Sequence, residues 1–240
     1  MHISSLPGQS GIGTLGSEAR SFVDFLRDSG QTYWQILPVG PTGMGDSPYQ
    51  SFSTFAGNPY FIDFGQLERD GLLSGDDWRN VGWGGDPTSV DYGLLYRERG
   101  KVFKRIQENF EKNVPEGYGP FCSENSWWLD DYALFMAVKD LHGGRPFCEW
   151  EDGIRRREPD AVEEWKTKCR SGISYHKILQ YLFYRQWGEL KEYAGKNGIR
   201  IVGDIPIYVA ADSSDVWSCP DQFALDGDYM PTEVAGLGMS

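Results

Sequence analysis

Asp204 closes the run IRIVGD (199–204), where an apolar, strand-like segment ends on a carboxylate. A carboxylate at such an edge is desolvated unless it meets donors or a ligand, so Asp204 reads either as a brace for a neighbouring loop or as a ligand contact. A second stretch, GDSPYQSFSTFAGNPY (45–60), carries two Pro, two Gly and one Asn, so no regular helix or strand runs through it. Its four rings, Tyr49, Phe52, Phe55 and Tyr60, accompany a single charged residue, Asp46. A loop that only connects has little use for that much ring surface. With nine Trp and 13 Tyr in the chain, rings that cover a C–H face while donors meet hydroxyls suit a sugar-like ligand. The same rings also fill cores, which is the alternative for any one of them.

Other chemistries find less support. Cys122, Cys148, Cys169 and Cys219 form no CxxC pair and have no histidine at ligand spacing, and His2, His142 and His176 are scattered. The cysteines read as free thiols, and no zinc site or other metal site is expected. The 240 residues carry a formal charge of −12, which repels nucleic-acid phosphates and anionic membranes. The basic run Arg155 to Arg157 is followed at once by Glu158 and Asp160. No long apolar run exists, and MHISSLPGQS lacks a basic start and an apolar core. Neither a membrane span nor a secretory signal is expected, and a reducing cytoplasm is the expected compartment.

The elements that must position these residues follow from periodicity. SEARSFVDFLRDS (17–29) places Ala19, Phe22, Val23 and Leu26 on one helical face, with Ser17 as N-cap and Gly30 past the end. Tyr33 to Leu37 reads as a buried strand closed by Pro38. Helices are expected over roughly 93–113, with Val102, Phe103, Ile106 and Phe110 as the apolar face, and over 127–141, apolar nearly all round. A shorter acidic helix is expected over 160–170 and a long one from Ser174 to Lys196. A second strand follows at Ile199 to Val202, and DSSDVW (212–217) reads as a helix start capped from Asp212 to Ser214. Helix, strand and loop in that order, twice, predict a parallel α/β architecture whose ligands gather at the strands' C-terminal ends.

Three stretches together go further. HISSLPGQSGIGTLG (2–16), YWQILPVGPTGMGDSPYQSFSTFAGNPYFID (33–63) and GDIPIYVAADSSDVW (203–217) resemble, in matching order, the 4-α-glucanotransferases of the amylomaltase or disproportionating-enzyme type. The resemblance implies a (β/α)₈ TIM barrel with inserted helical subdomains. It divides the chain into residues 1–64 (barrel βα units and substrate loop), 65–175 (a mainly helical insertion) and 176–240 (barrel helix, strand and active-site loop). It implies an α-1,4-glucan or maltooligosaccharide partner, no cofactor, and retaining chemistry in which two carboxylates about 5 Å apart supply a nucleophile and an acid/base.

Carried over residue by residue, Tyr49 matches a tyrosine that lies against a donor-side glucose, Ser47 stands near the sugar hydroxyls, and Asp204 matches a site-organising aspartate rather than the nucleophile. Phe52, Phe55 and Tyr60 are left to pin the loop to the barrel, and Asp46 to tie its turn. The family often carries Tyr at the position of Met44, which is linked to a secondary glucan patch. Members run to about twice this length, and their catalytic carboxylates lie beyond the position of Ser240. Leu237 to Ser240 departs from the family pattern. The chain therefore resembles an N-terminal portion, an incomplete barrel expected to be inactive alone and poorly soluble. A glucan-binding or structural fragment, and an α-amylase-type hydrolase, are the other readings. A new carboxylate pair joining Asp204 to Asp46 or Asp212 is demanded by nothing in their spacing.

Overall fold

The structure, a computed structural model, describes residues 1–43, 47–84, 86, 88–206 and 208–233. The helices are α1 (Ser17–Asp28), α2 (Phe64–Arg69), α3 (Tyr92–Lys112), α4 (Tyr118–Glu124), α5 (Ser126–Leu141), α6 (Asp152–Arg155), α7 (Pro159–Lys168), α8 (Arg170–Lys196) and α9 (Ser214–Ser218). Among the described residues there are also two strands, β1 (Tyr33–Gln35) and β2 (Arg200–Val202), and five short 3₁₀ turns. The chain divides into two compact units: Met1–Val39, Gly57–Phe121 and Ile178–Ile205 form one, and Gly40–Ala56, Cys122–Lys177 and Pro206–Ser240 the other.

In the first unit, α1 buries Ala19, Val23 and Leu26, and Phe22 meets Trp34 edge-on at 5.1 Å. Gly16, not Ser17, occupies the N-cap position. The reason is close packing: a Cβ at Gly16 would stand 2.3 Å from the Asp63 carboxyl group. Gly30, with φ of +71°, takes the left-handed conformation that ends the helix region.

β1 and β2 are parallel, with Tyr33, Trp34 and Gln35 opposite Arg200, Ile201 and Val202. The ladder extends one bond each way, from Arg200 N–H to the Thr32 carbonyl (2.8 Å) and from Ile36 N–H to the Val202 carbonyl (3.0 Å). The fully buried strand expected over Tyr33 to Leu37 is corrected to a half-buried one. Trp34 and Ile36 are buried, whereas Tyr33, Gln35 and Leu37 are exposed. Successive side chains point to opposite faces of a sheet, and among the described residues only one face of this pair is covered.

α3 shows the expected apolar face, with Val102, Phe103, Ile106 and Phe110 buried, and adds a buried arginine, Arg99. Asp91 caps it through Leu94 N–H at 2.9 Å. The first-unit part of α8 buries Leu182, Phe183, Leu190 and Ala194. Tyr181 meets Phe110 and Tyr118 edge-on at 5.8 and 5.5 Å.

In the second unit, α5 buries residues around its circumference, as its composition predicts, including Leu134, Phe135 and Val138. They pack with Phe147, Trp150, Trp165 and Trp217 into one aromatic-rich core. Trp217 satisfies its indole N–H on the Ile154 carbonyl at 3.0 Å. α8 begins at Arg170 rather than Ser174. Gly172 lets α8 approach α5: a Cβ there would lie 3.0 Å from that of Ala137. No helix among the described residues is long and apolar enough to cross a membrane. Nor does any group of three or more His, Cys, Asp or Glu among them converge as metal ligands.

Candidate functional site

The loop after β1 is built by serines acting on its own backbone. Thr42 and Ser51 form an antiparallel bridge, and Gly43 N–H donates to the Gln50 carbonyl at 3.0 Å. Within that clasp, Gln50 N–H reaches the Ser47 carbonyl at 3.2 Å and Tyr49 N–H reaches Ser47 Oγ at 3.3 Å. Buried Ser51 donates to the Ser53 carbonyl at 2.7 Å, and Ser53 Oγ accepts from Phe55 and Ala56 N–H at 3.1 and 3.3 Å. Short hydroxyl side chains replace the absent ladder bonds, so SPYQSFSTF is hydrogen-bonded to itself without being helix or strand.

Ser47 and Tyr49 are thus brought together in the second unit. Tyr49 is 42% exposed, and the Ser47 hydroxyl, which accepts from Tyr49 N–H, also carries an O–H donor. A ring beside a hydroxyl can cover one face of a pyranose and bond its edge. Phe52 packs on the second unit's core. Phe55 meets Trp127 edge-on at 4.6 Å and Trp128 at 6.3 Å. Both rings therefore rest on α5 and its surroundings. Tyr60 belongs to the first unit, where it stacks with Phe103 and meets Tyr96. Met44, Asp46 and Leu237 to Ser240 lie outside the described residues.

Asp204 lies in the first unit, two residues beyond β2. The desolvated carboxylate expected there is corrected: Asp204 is exposed, and its Oδ1 accepts from Ile205 N–H at 2.9 Å. β2 itself has exposed Arg200 and Val202 on either side of half-buried Ile201, so the segment is not enclosed and its last carboxylate is not either. Asp212 is committed elsewhere. It pairs with Lys139 at 2.5 Å and accepts from Phe147 N–H at 3.1 Å. The helix start at DSSDVW is present, with Ser213 as the capping residue through Val216 N–H at 3.2 Å.

Sequence reasoning missed the residues that hold the motifs from below. Gln180 takes both polar groups of Gly57, accepting its N–H at 2.8 Å and donating to its carbonyl at 2.9 Å. Gln186 does the same for Asp63, at 2.7 and 3.1 Å. Arg99 donates to the Ser10 carbonyl at 3.0 Å and to the Ile62 carbonyl at 2.8 Å. A signal for Arg99 existed: it sits four residues from both Leu95 and Phe103, on the apolar stripe of α3.

A family model described as 4-alpha-glucanotransferase matches residues 1–238. That match covers nearly the whole chain. The chain belongs to the 4-alpha-glucanotransferase family. A 4-alpha-glucanotransferase of Clostridium butyricum is 48% identical over 237 residues, covering 98% of this chain and 49% of the relative. One of Thermus thermophilus is 48% identical over 242 residues, covering 99% and 47%. Among solved structures, the amylomaltase of Streptococcus agalactiae in complex with acarbose superposes with a TM-score of 0.96 at 47% identity. It covers 100% of this chain and 49% of its own. The chain spans about half the length of the 4-alpha-glucanotransferases it matches.

Proposed function

We propose that this chain serves 4-α-glucanotransferase chemistry: a segment of an α-1,4-glucan is passed to an acceptor glucose or maltodextrin through a covalent glycosyl-enzyme that the acceptor hydroxyl then breaks, with retention of the anomeric configuration. Ser47, Tyr49 and Asp204 supply substrate contacts. The observation that carries this reading is the match over the full chain to an amylomaltase that holds acarbose, together with a serine-braced loop presenting Tyr49 and Ser47 side by side. Retaining chemistry needs a nucleophile and an acid/base carboxylate about 5 Å apart. Asp204, bonded to its own following N–H, is read as organising the site. Aromatic walls favour bound glucan over water as the group that attacks the intermediate.

The fold reading that goes with it is an incomplete (β/α)₈ barrel. Parallel β1 and β2, each preceded by a helix and each followed by one of the informative loops, support it. Cys122, Cys148, Cys169 and Cys219 are free thiols, which supports a reducing, cytoplasmic setting.

Because the chain spans about half of its relatives, binding without turnover is the second reading. Maltotriose disproportionation separates the two. Glucose release with longer maltodextrins supports transfer, maltoheptaose binding without release supports the second reading, and neither result removes both. Where binding is present, Tyr49→Ala is expected to weaken maltoheptaose affinity about five- to tenfold, with Tyr49→Phe close to wild type. Equal affinities for the alanine variant and the wild type in calorimetry remove Tyr49 from the site.

A further inference from the structure

We infer that Asp215 is a positioning residue for the glucan-binding loop, holding residues 52–56 so that Ser47 and Tyr49 are presented in one conformation. The inference rests on the glucan-binding reading of that loop and names a residue that touches no sugar itself. Its basis is a set of bonds between two motifs far apart in sequence, all within the second unit.

Asp215 Oδ2 accepts from both donors of Thr54, the backbone N–H at 2.7 Å and the hydroxyl at 3.2 Å. Its neighbour Ser214 donates its N–H and its hydroxyl to the Phe52 carbonyl, at 2.9 and 3.0 Å. Asp212 holds the buried Lys139 ammonium, which lies 5.2 Å from the centroid of the Phe52 ring. Three residues of DSSDVW therefore reach the loop, one through a lysine and two directly.

The bonds to α9 are separate from the loop's own serine clasp. Ser51 and Ser53 tie the loop to itself. Phe52 and Thr54, which alternate with those serines, are tied to α9. The turn bearing Ser47 and Tyr49 then departs from a fixed base. Capping of α9 does not account for Asp215, because Ser213 already caps that helix. Burial pushes the Asp215 carboxyl above the usual carboxylate range, and the two Thr54 bonds oppose that rise. Keeping a charge where burial disfavours it is understandable if the ion's strength as an acceptor is needed, since charged acceptors bind N–H roughly twice as strongly as neutral ones.

The test is maltoheptaose calorimetry on the 240-residue chain, with amide hydrogen exchange over residues 47–56 and thermal melting. Asp215→Ala should weaken binding about tenfold and Asp215→Asn, which keeps one acceptor oxygen, about threefold. Thr54→Val, at an exposed position, should reproduce a smaller share without disturbing the core. Val216→Ala, buried in the same helix and in none of the bonds to the loop, should lower the melting temperature and leave affinity unchanged. Faster exchange at Thr54, extending to Tyr49, should accompany every affinity loss. Wild-type affinity in Asp215→Ala, or losses that follow melting temperature across all four variants, would overturn the inference. If the wild-type chain binds no maltoheptaose, the glucan reading has failed, and exchange alone decides: unchanged protection from 47 to 56 in Asp215→Asn and Thr54→Val removes the positioning role.

Discussion

Leu37 donates its backbone N–H to His2 Nδ1 at 3.2 Å, so that nitrogen must be unprotonated in the folded chain. Burial, helped by repulsion from the terminal amine, lowers the His2 pKa from 6.5 to about 4. The unfolded chain thus takes up the proton first. The stability this residue contributes is complete above about pH 6.5 and is lost as pH falls toward 4. The imidazole is partly exposed, so the expected size is about 1–2 kcal/mol after solvent screening. Urea unfolding of the wild type and His2→Gln, compared at pH 7 and pH 4.5, isolates it: the wild type's advantage should shrink at the lower pH.

Arg99 poses the opposite problem, a cation deep in the first unit. Burial lowers its pKa to about 9, which leaves it charged at neutral pH. Its guanidinium lies 4.2 Å from the Phe64 ring centroid, and its donors satisfy the Ser10 and Ile62 carbonyls. Arg99→Ala removes these bonds and a third, to the Ser10 hydroxyl, and opens a cavity, at an expected cost of about 3–5 kcal/mol. Arg99→Lys keeps the charge but not the fork that spans two carbonyls, so most of the loss should remain in denaturant titrations.

At the scale of elements, α8 is the rod against which the first unit's loop backbone is fixed. Gln180 and Gln186 stand six residues apart on it, and each closes a two-bond clasp on backbone that has no ladder partner. Phe183, between them, leaves no room for a side chain at Gly57, where a Cβ would sit 2.0 Å from its ring. Replacing either glutamine by Leu strands an N–H and a carbonyl, and should cost about 1–3 kcal/mol per unsatisfied group. Gly57 and Asp63 amides should exchange faster in Gln180→Leu and Gln186→Leu respectively. Unchanged exchange at those two amides would show that the clasps are not what fixes the loop.

At the scale of the molecule, the exposed strand pair is expected to govern self-association. Among the described residues it has two strands. On it and its extensions Tyr33, Leu37, Val202 and Ile205 are 55%, 40%, 42% and 74% exposed. An open apolar sheet with unpaired edges invites edge pairing, opposed here by the net charge of −12. Self-association is therefore expected to grow with salt, which screens that charge. Light scattering at about 0.05 and 0.5 M salt measures it. Val202→Lys should reduce the increase, and no change on substitution would place the sticky surface elsewhere.

The pattern of the chain alone determined the amphipathic helices α1 and α3, the enveloped α5, the short α7, the parallel strand pair and the family. Each of those rests on local periodicity or on unbroken motifs, and both are properties of neighbouring residues. Helix boundaries were less legible, because Gly16 and Gly172 owe their places to Asp63 and Ala137, which are distant in sequence. The motif of Ser47 and Tyr49 was legible, but its supports were not. Gln180, Gln186, Lys139 and Asp215 are ordinary polar residues on helices until the tertiary fold sets their side chains against particular backbone groups. The exposure of Asp204 was likewise a tertiary outcome: hydropathy tells which residues prefer burial, and only packing tells which of them are covered.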